Sequence, residues 1–331
     1  MPRLHSAPIP IVEGHPLVLG KANILREQIP VGPGGGGWWK LLFKFSFPVT
    51  IGTAVGVKPE AGLAIVNGVT FETSRKEKML DNCPARHIYR DNIIQSGVQE
   101  PATDPVAQAS ATYVTWLEHY FIDRRMRQPL DTLFDASRYA WAKLTLNMGT
   151  VADLFTTPGT ATINDPTVDI FAFKIHGSIP PGVVKAYREL GVYPPEDPAS
   201  KLYIDPERDP DLELKRLYVY GTENATDGEA LSGDLSDDVI DTMKLSRVSS
   251  EGSEELWPET EAELIRRINQ PAYQLESEQV GVHIFDFVEA EGSHMRNVKP
   301  VGSKFRLDYS YAGGQTDPQV TAAFDGIRTL R

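Results

Sequence analysis

The sequence predicts an all-β chain of two tandem antiparallel sandwiches, and three observations predict it. Short runs with period-two alternation recur in both halves of the 331 residues, as in Phe43, Phe45 and Phe47 interleaved with Lys44 and Ser46. Turn-forming Gly, Pro, Asn, Asp and Ser punctuate these runs at short intervals, without the regular alternation of strand and long helix that a parallel sheet requires. A prolyl group, Pro180-Pro181-Gly182 followed by Pro194-Pro195 and Pro198, separates the two sets and places a domain boundary between residues 178 and 200.

Residues 1–37 carry prolines at 2, 8, 10, 16, 30 and 33 and end in the run Gly34 to Gly37, so they are read as an N-terminal arm with a flexible hinge. The glycine run lacks the Gly-Lys-Ser/Thr ending of a phosphate-binding loop. The first sandwich then occupies 38–180. Trp38 to Ile51 is a strand with one buried face, and the Trp38, Trp39 and Phe43/45/47 aromatics are core packing. The apolar run from Gly62 to Thr73 contains Asn67-Gly68, a turn or bulge within paired strands. Residues 112–122 are rich in β-branched and aromatic types and read as strand, with helix the competing reading. Pro129 to Ser137 reads as a helical turn or loop, and Tyr139 to Asn147 and Val168 to His176 alternate again as strands.

Residues 181–200 read as a linker in which Val183 to Leu190 forms a short helix ended by Gly191. The second sandwich, 201–331, has strand runs at Leu212–Tyr220, Val239–Leu245, Val280–Ala290 and Phe305–Tyr311. Trp257 to Asn269 is an amphipathic helix: Ala262, Leu264, Ile265 and Ile268 recur at helical spacing, and Pro258, Glu259 and Glu261 suit its N-terminus.

Charge is divided unevenly. Residues 1–180 hold 17 Lys+Arg against 16 Asp+Glu, and residues 181–331 hold 16 against 29, so the halves carry +1 and −13. The acidic half is unsuited to phosphate backbones or anionic lipid head groups. No run approaches the roughly 20 apolar residues of a membrane-spanning helix, and no signal peptide opens the chain. The single cysteine, Cys83, excludes an intramolecular disulfide and reads as a buried filler.

Chemistry-bearing constellations are few. The tightest is Asp205-Pro-Glu-Arg-Asp-Pro-Asp211, where Asp205, Glu207, Asp209 and Asp211 alternate like oxygen ligands for a structural divalent cation. It lacks the glycine and distal glutamate of an EF-hand, so a plain acidic loop is the simpler reading; the set Asp234, Asp237, Asp238 and Asp241 is weaker still. The seven histidines (5, 15, 87, 119, 176, 283, 294) form neither His-x-His nor His-Glu-x-x-His, and no Gly-x-Ser-x-Gly elbow occurs. No catalytic residue and no cofactor site is therefore assigned. Arg124, Arg125, Arg127 and Arg138 lie near Trp116, Tyr120 and Tyr139, but interleaved Asp123, Asp131 and Asp135 neutralise them, so inter-subunit ion pairing is expected rather than specific nucleic-acid binding.

Phe43-Lys-Phe-Ser-Phe-Pro-Val-Thr-Ile51 and Gly62-Leu-Ala-Ile-Val-Asn-Gly-Val-Thr-Phe71 resemble the opening strands of double jelly-roll major capsid proteins of tailless icosahedral, membrane-containing bacteriophages. Trp116-Leu-Glu-His-Tyr-Phe-Ile-Asp-Arg124, Pro129-Leu-Asp-Thr-Leu-Phe-Asp135, Tyr139 to Gly149 and Asp153-Leu-Phe155 follow in the order those coats use. The likeness covers residues 38–180 and extends to the second half by strand count and length; the acidic stretch Gly221 to Asp241 departs from it. It implies two jelly rolls, no enzymatic activity, and homotrimers that tile a virion shell with neighbouring trimers and other capsid proteins after assembly in the host cytoplasm. It also implies that the N-terminal arm, with Arg3, Lys21 and Arg26 among apolar residues, faces an internal lipid membrane or a neighbouring subunit. The competing function on the same fold is carbohydrate binding or glycan processing, and a two-barrel cupin enzyme is disfavoured by the histidine spacing.

Overall fold

The computed structural model describes residues 8–29, 36–96, 110–123, 132–175, 183–193, 199–204, 212–250, 252–287 and 303–329. The chain divides into two compact units, residues 1–187 and 188–330. In the first unit the strands are β1 (Pro8–Pro16), β2 (Ala22–Ile29), β3 (Gly37–Thr50), β4 (Val55–Val57), β5 (Val66–Thr73), β6 (Lys78–Cys83), β7 (Ala111–Tyr120), β8 (Phe134–Asp135), β9 (Ala142–Met148), β10 (Phe155–Thr157), β11 (Thr162–Ile163) and β12 (Thr167–Ile175). Two helices, α1 (Ala61–Ala64) and α2 (Ala85–Ser96), interrupt them, and β13 (Val183–Tyr193) spans the point of division. The second unit holds β14 (Ala199–Ile204), β15 (Leu212–Glu223), β16 (Asp234–Leu235), β17 (Ile240–Ser249), β18 (Gly252–Glu261), α3 (Ala262–Ala272), β19 (Val282–Asp286), β20 (Ser303–Tyr311) and β21 (Gln319–Thr329).

Unit 1 is a sandwich. One layer runs β1-β12-β3, with β7 also paired to β3 and β11 and β8 pairing with its two ends; the other contains β2-β9-β5-β6. The described register pairs of this unit are antiparallel, and all but β5–β6 join strands that are not consecutive in sequence. Strand β3 alternates as its sequence requires: Leu41, Phe43, Phe45, Phe47 and Val49 are buried while Leu42, Lys44 and Ser46 face outward. Along this inner face Phe43, Phe45 and Phe47 stack at centroid spacings of 6.1 and 6.0 Å. Trp38 of β3 meets Phe71 of β5 across the layers at 6.5 Å, and Phe134 lies 5.7 Å from Trp38 and 5.3 Å from Phe71, forming the aromatic centre of the core. Asn67-Gly68 is a bulge in the β5–β9 ladder, where a Cβ on Gly68 would collide with the Asn82 side chain.

In unit 2, β15 pairs with β21, β19 and β16, and a second sheet runs β14-β20-β17-β18. Met243 and Leu245 of β17 and Phe305, Leu307 and Tyr309 of β20 are buried on the inner face of the second sheet. Strand β15 is buried on both faces from Leu214 to Thr222.

Four sequence expectations are corrected. Residues 8–29 form no free arm: β1 is an edge strand on β12, and β2 pairs with β9. Proline is tolerated there because an edge strand need not donate on its outer side, and Val12 and Leu17 are buried in the sandwich. Val183–Leu190 is strand rather than helix, in keeping with its adjacent β-branched valines and Tyr187. Trp257–Glu261 ends strand β18, so the helix begins at Ala262. Gly62–Ala64 lies in the short helix α1 rather than in the strand that follows.

Candidate functional site

Among the described residues, several polar side chains of the interior hold strands and helices together. Helix α2 is buried on nearly all sides, and its Arg86 and Arg90 both pair with Glu60, Arg86 Nε lying 3.1 Å from Glu60 Oε2. On the same helix Asp91 accepts a hydrogen bond from the Tyr187 hydroxyl. In unit 2 the Arg216 guanidinium on β15 is wholly buried and pairs with buried Asp325 on β21 at 2.5 Å, with Asp286 3.7 Å away. Burial acts to lower the pKa of this guanidinium, but charge interactions with Tyr218, Asp325, Tyr273 and Asp286 together hold it well above its ordinary value. Tyr273 in turn donates to Asp286 at 2.6 Å.

The predicted chemical sites fare as follows. Asp205, Glu207, Asp209 and Asp211 lie outside the described residues, as do Arg124, Arg125 and Arg127 of the basic cluster. Asp237, from the second acidic set, accepts from the Gly281 backbone N–H at 2.6 Å and faces Arg266 at 3.1 Å, which is a structural role. Among the described residues no group of three or more His, Cys, Asp or Glu is placed to hold a metal ion. His87 and His119 pack edge-on against Tyr187 at 5.8 and 5.4 Å. His283 on β19 is fully buried; desolvation, reinforced by the Arg266 charge, pushes its pKa down to about 3. Burial and the Glu77 carboxylate, which accepts from its hydroxyl at 2.6 Å, push the Tyr139 phenol well up. Cys83 is buried.

Among the described residues, the outer face of the β3 sheet brings aromatic, apolar and charged side chains together in register. Its register aligns Trp116, Lys44 and Asp169 in one row, Glu118, Leu42 and Phe171 in the next, and Tyr120, Lys40 and Phe173 in a third. Trp116 is 47% exposed, whereas Leu42, Phe171 and Phe173 are half-buried. Lys40 sits 4.4 Å from the Phe173 ring centroid and pairs with Glu118 at 2.7 Å; Lys44 lies 5.8 Å from the Trp116 ring and 3.6 Å from Asp169. Trp39 belongs to this outer side too, packed on Tyr120, Ile122 and Leu133, so only Trp38 of the tryptophan pair is core. The signal for this face was the apolar character of both faces of Val168-Asp-Ile-Phe-Ala-Phe173, which a one-sided alternation does not explain.

No protein-family model matches the sequence, and no curated protein is found as a relative. The fold does have counterparts. The structure superposes on a chain in the atomic structure of Sulfolobus turreted icosahedral virus with TM-score 0.69 and 12% identity, covering 97% of this chain and 90% of that one. The crystal structure of the major capsid protein of that virus gives TM-score 0.66 at 14% identity over 97% and 96% of the two chains. The major capsid protein P2 of bacteriophage PM2 gives 0.61 at 10% identity over 98% of each. The chain therefore has the fold of the double jelly-roll capsid proteins: all-β, two tandem antiparallel jelly rolls with short helices in the connections.

Proposed function

We propose that this chain is a structural major capsid protein that assembles as pseudo-hexagonal homotrimers into an icosahedral virion shell. The observation that carries the reading is full-length likeness: both sandwiches are matched, over 97% or 98% of this chain, by major capsid proteins. Physical reasoning agrees with it. Three chains of two sandwiches each supply six sandwiches, the number a pseudo-hexagonal tile needs. The function is then geometric, with subunits contacting one another and other capsid components in the virion after assembly in the host cytoplasm, and no catalytic step is assigned to any side chain.

In this reading the N-terminal segment faces inward, toward an internal lipid membrane or a neighbouring subunit, with Ile9, Val18 and Ile24 exposed. The carbohydrate-binding alternative rests on the fold alone; Trp38, Phe43, Phe45 and Phe47, at 0–1% exposed, are core packing and offer no ring for a sugar to stack on. Light scattering after size exclusion tests the reading. A species of about three 36.6 kDa chains, or a shell-sized one, is expected, and a monomer at every concentration would overturn it.

A further inference from the structure

We propose that the outward face of the β3 sheet, centred on Trp116, Leu42, Lys44, Phe171 and Phe173, is a contact surface between copies of this chain; the proposal rests on the assembly reading above. The face combines Trp116, Leu42, Phe171 and Phe173 with the Lys40–Glu118 and Lys44–Asp169 pairs on a well-paired antiparallel ladder, so its side chains are presented on a rigid support. Trp116 is the exposed anchor, 47% open, flanked by half-buried Leu42 and Phe171. Exposed aromatics of this kind dominate the energy of protein contacts because they bury a large area at small entropy cost.

Charge identifies the occupant. The chain carries −12 overall, but residues 1–180 carry +1 and residues 181–331 carry −13, so two copies repel least through the half that bears this face. Within the face each lysine already has its carboxylate, Lys40 with Glu118 and Lys44 with Asp169. A second copy can cover such a self-neutralised surface without stranding an unpaired charge. An anionic lipid surface or a polyanion is instead recruited by basic side chains without acidic partners, and both lysines here are engaged.

The test uses the full-length chain with Trp116→Glu, Trp116→Phe and, on the other unit, Leu264→Glu on exposed α3. Assembly is followed by sedimentation against protein concentration, with thermal melts confirming that each variant folds. Trp116→Glu is expected to raise the concentration for half-assembly at least tenfold, while Trp116→Phe and Leu264→Glu leave it within about twofold. Should Trp116→Glu not fold, Trp116→Cys replaces it, because the native Cys83 is buried and leaves one reactive thiol. Its maleimide labelling should then slow at least tenfold on assembly. Wild-type-like assembly of Trp116→Glu, or unchanged labelling, overturns the face but leaves the capsid reading standing, whereas a wild-type chain that never assembles overturns both. Flotation of the wild type with anionic vesicles that Trp116→Glu abolishes, with assembly intact, assigns the face to lipid and also overturns the proposal.

Discussion

At the scale of single residues, the polar interior decides how much stability the fold has to lose. Arg216 and Asp325 are both fully shielded, and removing one partner strands a charge that water cannot reach. Asp325→Ala is expected to cost about 3–5 kcal/mol in urea unfolding. Arg216→Met combined with Asp325→Leu should recover most of that loss, because an apolar pair of similar volume leaves no charge behind. His283 sets a pH dependence whose sign follows from its pKa of about 3 in the folded state, set by burial and then by Arg266, against 6.5 in the unfolded chain. Above pH 6.5 both states are neutral and the contribution is complete. As pH falls from 6.5 toward 3 the unfolded chain takes up a proton that the folded chain refuses, and stability drops by up to about 1.4 kcal/mol per pH unit. His283→Gln should flatten that slope in unfolding curves measured between pH 4 and 7. Neither residue was singled out from the sequence as buried, because a lone Arg or His on a strand carries no local mark of its partner's position.

At the scale of elements, parts with a single buried face are the most legible. Trp38 to Ile51 and Tyr139 to Asn147 alternate, and strands β3 (Gly37–Thr50) and β9 (Ala142–Met148) fall on them, while Asn67-Gly68 is the bulge that its residue types suggested. Strand β15, buried on both faces, is also legible, but other elements buried on two sides carry no such signal. Helix α2 shows no apolar stripe because Arg86, Arg90 and Asp91 are inside, satisfied by Glu60 and Tyr187. Strand β21 hides its character in small residues such as Ala322 and Ala323, both wholly buried. The N-terminal prolines suggested an arm because the sequence alone does not disclose that their strand lies at an edge. Deleting residues 1–17 tests that correction. It removes buried Val12 and Leu17, worth about 1.5–3 kcal/mol each, and bares the β12 edge. A lower melting temperature and aggregation on size exclusion are expected, whereas a free arm would leave both unchanged.

At the scale of the whole molecule, period-two alternation and the prolyl break made two sandwiches legible, and the charge difference between the halves was plain from composition. The outer aromatic face was only half legible: Trp116 was noticed beside the arginines, but its alignment with Lys44, Leu42 and Phe171 is a matter of strand register. If copies of this −12 chain assemble through the near-neutral face proposed above, they should do so more readily as salt screens the repulsion between their acidic halves. Sedimentation at 50 and 300 mM NaCl is expected to show the larger assembled fraction at the higher salt. The central claim, that the chain is a shell-building block, is tested most directly by electron microscopy of its assembled fraction. Particles or sheets tiled by pseudo-hexagonal trimers are the predicted result, and a uniform field of single chains at every concentration and salt would contradict it.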